Sequence, residues 1–342
     1  MEKGQSHKMT PKKKSANKPR SRNSQETMTD ADCEKKGLQM PKKAAVDIPH
    51  LLHDNDVLLN RFKIIGRLGC GSFGQNYERE MCREAVNGEK SEQRCKLEMM
   101  ILAQLRGKKG IPLILATCPL PNQDVNGRGA VLVMQLVGRN LADVKRQMPT
   151  RSFSAPTLYR AMRQVLVVIS YIHEIGFLHR DVKPPNCCLE SIDVSRIYLL
   201  DLGLAMKKTP FRETVGYASL AKGDFGPYTD LVGAFLYSTI ELGNGLLPWS
   251  HIRDVERTTQ LKAKTTNAEL CDGWPELLGF TNAVMELKCN TIPDHQKLLK
   301  LFDMLKPDGV TEACGYDWEL VECELDLKIQ AENKPGDIQT VE

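Results

Sequence analysis

Four polar residues at fixed spacing could do chemistry in this chain. Asp181, Lys183 and Asn186 lie in Phe177-Leu178-His179-Arg180-Asp181-Val182-Lys183-Pro184-Pro185-Asn186, and Asp201 closes the apolar run Ile197 to Leu200. A carboxylate, a cation, an amide oxygen and a second carboxylate are the groups that moving a phosphoryl group onto a hydroxyl requires. Asp181 can orient the hydroxyl and accept its proton, and Lys183 can face the transferred phosphoryl from the same side of the loop. Asn186 and Asp201 offer hard oxygen donors to magnesium, with Asp201 placed to bridge metal and phosphates. His179-Arg180-Asp181 alone would be an ordinary charged loop; the joint match with Lys183, Asn186 and Asp201 selects phosphoryl transfer.

These residues need elements to hold them. Ile197 to Leu200 reads as a short buried strand delivering Asp201, and Leu202-Gly203 permits a sharp exit. Leu158, Ala161, Met162, Val165, Val168, Ile169 and Ile172 recur at helical spacing, so an amphipathic helix carries the chain to His179. Upstream, Gly69-Cys70-Gly71-Ser72-Phe73-Gly74 follows the strand-like Phe62-Lys63-Ile64-Ile65. Gly69, Gly71 and Gly74 would let a hairpin backbone close over nucleotide phosphates. The same spacing serves a plain turn or a dinucleotide fingerprint; the catalytic loop downstream and the absence of a clear βαβ crossover favour the phosphate-covering hairpin. Ala130-Val131-Leu132-Val133-Met134 reads as a strand running into Gln135-Leu136-Val137-Gly138, which suits a hinge between two lobes where the backbone of Gln135 and Val137 would pair with adenine.

With these stretches in place the chain resembles the casein kinase I superfamily, and within it the tau-tubulin kinase-like branch. Met134-Gln135-Leu136-Val137-Gly138-Arg139-Asn140-Leu141-Ala142-Asp143 is similar to that branch's hinge and following helix, and Tyr217-Ala218-Ser219 to the segment replacing the usual Ala-Pro-Glu motif. Leu247-Pro248-Trp249 and Tyr316-Asp317-Trp318-Glu319 fit as well, so the likeness spans roughly residues 60 to 320. The resemblance implies an α+β, two-lobed protein kinase fold: a small β-rich N-lobe over 56–137 and a larger helical C-lobe over 138–320. It implies ATP and magnesium as cofactors and protein substrates with serine or threonine acceptors. Asp181 carries over as catalytic base, Lys183 as its phosphate-facing partner, and Asn186 and Asp201 as metal ligands. Leu189 becomes the floor under adenine, and Asp230 the buried brace of the catalytic loop.

The departures are concentrated in the small lobe. Where the family has Ala-Met-Lys-x-Glu, the closest match is Glu80-Met81-Cys82-Arg83-Glu84, which puts Cys82 in place of the lysine that grips the α- and β-phosphates and pairs with Glu98. Arg83 and Lys90 are the candidate replacements. Few residues separate Tyr77 from Glu80, so a truncated lobe is expected. Asn76 stands where an apolar residue is the rule, the stretch from Gly203 to Tyr217 is short, and Gly216 replaces an arginine that holds phosphorylated substrates. A serine/threonine protein kinase is therefore the leading expectation, and a pseudokinase acting as a binding scaffold is the alternative.

Composition agrees. The 342 residues, 41% hydrophobic, suffice for two lobes plus tails. The 11 cysteines are odd in number and form no Cys-x-x-Cys pair, arguing for reduced thiols rather than a disulfide framework or a zinc site. No apolar run approaches a membrane span, and the expected location is cytoplasmic, with the nucleus second. Residues 1–55 read as a disordered basic tail: through residue 45 it holds 12 Lys and Arg against 5 Asp and Glu. Its candidate partner is cytoskeletal or another acidic surface, ahead of nucleic acid. Residues 321–342 form an acidic C-terminal tail.

Overall fold

The computed structural model describes residues 51–70, 75–78, 83–87, 89–119, 129–207, 229–287 and 293–321. Its N-terminal part is an antiparallel five-stranded sheet in the order β3-β4-β5-β7-β6. The strands are β3 (Gly66–Cys70), β4 (Gln75–Glu78), β5 (Arg83–Asn87), β6 (Ile114–Pro119) and β7 (Gly129–Met134). β7 is built of Gly-Ala-Val-Leu-Val-Met, and its two faces serve two cores. Val131 and Val133 pack with Leu52, Leu58, Phe62 and Ile64, while Leu132 and Met134 join the main core. Period-2 alternation on a strand covered on both sides explains a continuous apolar run where a half-exposed strand would alternate.

Two sequence expectations are corrected here. Phe62–Lys63 is not the strand entering the glycine-rich turn; it is β2 of a separate hairpin with β1 (Val57–Leu58), and β3 enters the turn. The disordered tail does not extend through residue 55: Leu52 is fully buried, and Asn55 N–H donates to the Ile64 carbonyl at 2.9 Å, because the β1–β2 hairpin needs an apolar underside. Residues 1–50 lie outside the described residues.

Helix α1 (Glu89–Gln104) crosses behind the sheet with Cys95, Glu98, Ile101 and Leu102 buried along one stripe. One position of that stripe is a carboxylate. The chain then passes through β7 into β8 (Val137–Asn140), which pairs with β10 (Cys187–Glu190), itself paired with β11 (Ile197–Leu199). Gly138 permits this close approach, since a Cβ there would lie 3.2 Å from the Glu190 carbonyl oxygen.

The helical part is organised on α2 (Leu141–Gln147) and α3 (Ala155–Glu174). All seven residues of the expected stripe are buried on α3. The segment 229–236 is π-helical and leads into α4 (Tyr237–Asn244); α5 (Val255–Lys264), α6 (Asn267–Leu270), α7 (Leu278–Met285) and α8 (His295–Asp303) follow. The C-terminal stretch latches onto the start of α3. The Asp317 carboxylate accepts the Ser154 amide at 2.6 Å, the Tyr316 and Trp318 rings stack with centroids 4.5 Å apart, and the Arg160 guanidinium lies 3.9 Å above Tyr316. Such contacts contribute about 0.5–2 kcal/mol each when desolvated. Cys95, Cys118, Cys187, Cys188, Cys271 and Cys314 are all thiols, and no described helix is long and apolar enough to cross a membrane.

Candidate active site

The candidate catalytic loop begins where α3 ends: Gly176, at φ +81°, turns the chain into β9 (Phe177–Leu178), which pairs with β12 (Met206–Lys207). Asp181, Lys183 and Asn186 then converge. Lys183 Nζ donates to Asp181 Oδ2 at 2.6 Å, and Asn186 Nδ2 donates to the same oxygen at 3.0 Å and to the Asp181 carbonyl at 2.8 Å. Both side-chain donors fall on Oδ2, which leaves Oδ1 to meet an incoming hydroxyl. Because Asn186 spends its NH2 on Asp181, its amide oxygen points elsewhere and is the atom able to ligate a cation.

Asp201 is clamped from both sides. At Leu200, the N–H donates to the Asn186 carbonyl at 2.8 Å and the carbonyl accepts from His179 Nε2 at 3.0 Å. At Leu202, the N–H donates to Glu98 Oε1 at 3.1 Å, which explains a buried carboxylate in the apolar stripe of α1. Between these anchors Asp201 adopts φ +65°, and Arg180, next to Asp181, adopts φ +70°. Such left-handed residues cost of order 1–3 kcal/mol and persist where surroundings impose them. Gly203 keeps space beside the carboxylate: a Cβ there would sit 3.3 Å from Asp201 Oδ1.

Asp230 imposes the Arg180 conformation. It is completely buried and accepts the amides of His179 at 2.6 Å and Arg180 at 2.7 Å, with His173 Nε2 at 3.0 Å. Burial pushes its pKa up, but the hydrogen bond from His173 and the Arg180 amide hold it below the usual carboxylate value. His179 moves below the usual imidazole value because burial opposes its charge more strongly than Asp230, Asp201 and Asp181 favour it. Geometry agrees: Nε2–H faces the Leu200 carbonyl, and Nδ1 accepts the Asp181 amide at 3.2 Å, so a second ring proton would collide with a donor.

At the hinge, the Gln135 side chain is committed to the scaffold. Its Oε1 accepts the Leu113 amide at 3.3 Å and its Nε2 donates to Tyr198 Oη at 2.9 Å. Its backbone N–H is also committed, donating to the Leu113 carbonyl at 2.8 Å, so a base there would be left the Gln135 carbonyl and the backbone of Val137. Leu189 is buried on β10, the strand paired with β8.

Residues 62–220 match the protein kinase domain. A Caenorhabditis elegans protein named "Putative casein kinase I" is 29% identical over 77% of this chain and 84% of its own length. The chain carries a casein kinase I-like protein kinase domain. A Dictyostelium discoideum protein named "Probable serine/threonine-protein kinase" is 27% identical to this kinase-domain chain over 77% of it, an alignment spanning 57% of the Dictyostelium protein.

The small lobe of this kinase domain is not short of a strand, contrary to the truncation expected. All five described strands pair in the order β3-β4-β5-β7-β6, and the link of residues 79–82 between β4 and β5 lies outside the described residues. Cys82 falls in that link, and Gly71 and Gly74 in the glycine-rich turn; all three lie outside the described residues, as does the stretch holding Gly216 and Tyr217. Gly69 is in β3, opposite Asn76 of β4. Arg83 begins β5, opposite Val133, and Lys90 belongs to the first turn of α1. β5 reads Arg-Glu-Ala-Val-Asn and contains no lysine. Sequence reasoning missed His173 and its neighbour His295. The signal available was a histidine immediately after Ile172 on the buried face of α3, a position where a polar ring must find a partner.

Proposed function

We propose that this chain is a serine/threonine protein kinase of the tau-tubulin kinase-like branch, transferring the γ-phosphoryl group of ATP to protein hydroxyls. The observation that carries the reading is the convergence of Lys183 and Asn186 on one oxygen of Asp181, with the loop held by Asp230. In this reading Asp181 Oδ1 takes the hydroxyl proton and Lys183 offers its charge to the phosphoryl oxygens. The donor set suits magnesium: the Asn186 amide oxygen and the Asp201 carboxylate are hard oxygens, and the missing side chain at Gly203 leaves Asp201 room. When bound, magnesium-ATP supplies the transferable group and neutralises its charge. Glu98, through Leu202, holds the position of Asp201. The branch is supported by Met134 through Asp143 and by Tyr217-Ala218-Ser219. Protein substrates, a cytoskeletal or other acidic partner for the basic tail, and a cytoplasmic or nuclear location complete the proposal.

The lysine-free β5 favours a second reading, a nucleotide-indifferent scaffold. Magnesium-dependent binding of a fluorescent ATP analogue separates them. The kinase reading expects Asp201→Asn to weaken binding about tenfold or more, the loss of one charge-assisted interaction. Binding that ignores both magnesium and Asp201 would favour the scaffold.

A further inference from the structure

Asp230 carries the catalytic loop, and the ring that donates to Asp230 is itself met by a second ring. His173, in the last turn of α3, places Nε2 3.0 Å from Asp230 Oδ2 and Nδ1 3.0 Å from Nε2 of His295. His295 is the first residue of α8, held there by Asp294, whose Oδ1 accepts the Lys297 amide at 2.9 Å. The two rings stand 4.9 Å apart, centroid to centroid.

A neutral imidazole has one donor and one acceptor nitrogen. An ionised Asp230 can only accept, so the proton of His173 must sit on Nε2. Nδ1 is then a lone pair, and the nitrogen 3.0 Å from it must bring a proton. We propose that His295 is a positioning residue for the catalytic loop: its Nε2–H, donated to His173 Nδ1, fixes His173 in the one neutral tautomer able to donate to Asp230. The opposite tautomer would turn a lone pair toward the carboxylate and loosen the acceptor on which the His179 and Arg180 amides hang. Setting a histidine's tautomer through its second nitrogen is a general device; here it links the start of α8 to the loop bearing Asp181. That the loop is catalytic rests on the proposed function; the tautomer itself does not.

The test uses the full chain labelled with nitrogen-15. Long-range proton–nitrogen correlation spectra report which His173 nitrogen is protonated, and hydrogen exchange reports the His179 and Arg180 amides. The native chain should show His173 protonated on Nε2 alone. His295→Phe, which keeps a ring and removes the donor, should give mixed tautomers and exchange of both amides about tenfold faster, one hydrogen bond's worth. His295→Gln, which restores an N–H, should return both signals toward native. The proposal is overturned if the native His173 is protonated on both nitrogens. It is equally overturned if His295→Phe changes neither signal, or if Phe and Gln accelerate exchange alike, which would make His295 a packing residue. Neither readout needs phosphoryl transfer, so an inactive chain decides the matter equally well.

Discussion

Replacing Asp230 by Asn should strip a buried carboxylate of its match to three donors. The carboxylate is fully buried and accepts three donors, at 2.6, 2.7 and 3.0 Å. Asn keeps one acceptor oxygen and turns an NH2 toward donors that had faced the other. Hydrogen bonds to a charged group contribute about 1.5–3 kcal/mol each, and breaking a buried charged network typically costs about 3–5 kcal/mol. One amide can still be satisfied by Asn, so about 3–5 kcal/mol is the expected loss, against a total stability of about 5–15 kcal/mol. At about 2–4 °C per kcal/mol for a domain of this size, the melting temperature should fall by roughly 10 °C. Tryptophan fluorescence is the appropriate probe, because Trp249, Trp274 and Trp318 are all buried in the core cluster that also contains Leu231 and Phe235 of the segment bearing Asp230. Urea and thermal unfolding of native and variant chains give the difference directly. A loss below about 1 kcal/mol would refute the claim that Asp230 organises the loop, since a surface carboxylate would lose as little.

Three further outcomes follow from the same geometry. His179 and Asp230 both have folded pKa values below their ordinary 6.5 and 3.8. The unfolded chain therefore takes up protons first: stability should fall as pH drops below about 6.5 and again below about 4, and His179→Phe should flatten the first decline in a urea titration series; stability rising on acidification from pH 7 to 5 would contradict it. Gly203→Ala places a Cβ 3.3 Å from Asp201 Oδ1, so magnesium-dependent nucleotide binding should weaken several-fold in calorimetry with little change in melting temperature. Glu98→Gln exchanges a charged for a neutral acceptor at the Leu202 amide and should raise the nucleotide dissociation constant by about tenfold or less, a shift of up to about 1.4 kcal/mol; an unchanged constant would show that Asp201 is held without α1.

What the sequence made legible was short-range. Asp181, Lys183 and Asn186 share one loop, so their convergence follows from close spacing, and the α3 stripe obeys a 3.6-residue period that no distant contact can disguise. Asp201 is equally legible, because the apolar strand β11 delivers it. The illegible parts depend on pairing across the chain. The β1–β2 hairpin captured Phe62 because Leu52 and Val131 complete its underside, a packing that no local pattern encodes. The link from Glu98 to Leu202 spans 104 residues, and that from His173 to His295 spans 122. The small lobe looked truncated because motif matching counts missing residues, whereas a sheet tolerates a shortened connection provided each strand keeps its neighbours.

The central claim is that Asp181 and its loop transfer phosphoryl groups, and the most direct measurement is magnesium-dependent transfer of labelled γ-phosphate from ATP to a mixed protein substrate, native chain against Asp181→Asn. The account predicts label on serine and threonine with the native chain and none above background with the variant, at equal folded concentration. Equal label from both proteins would contradict it and leave the domain as a scaffold.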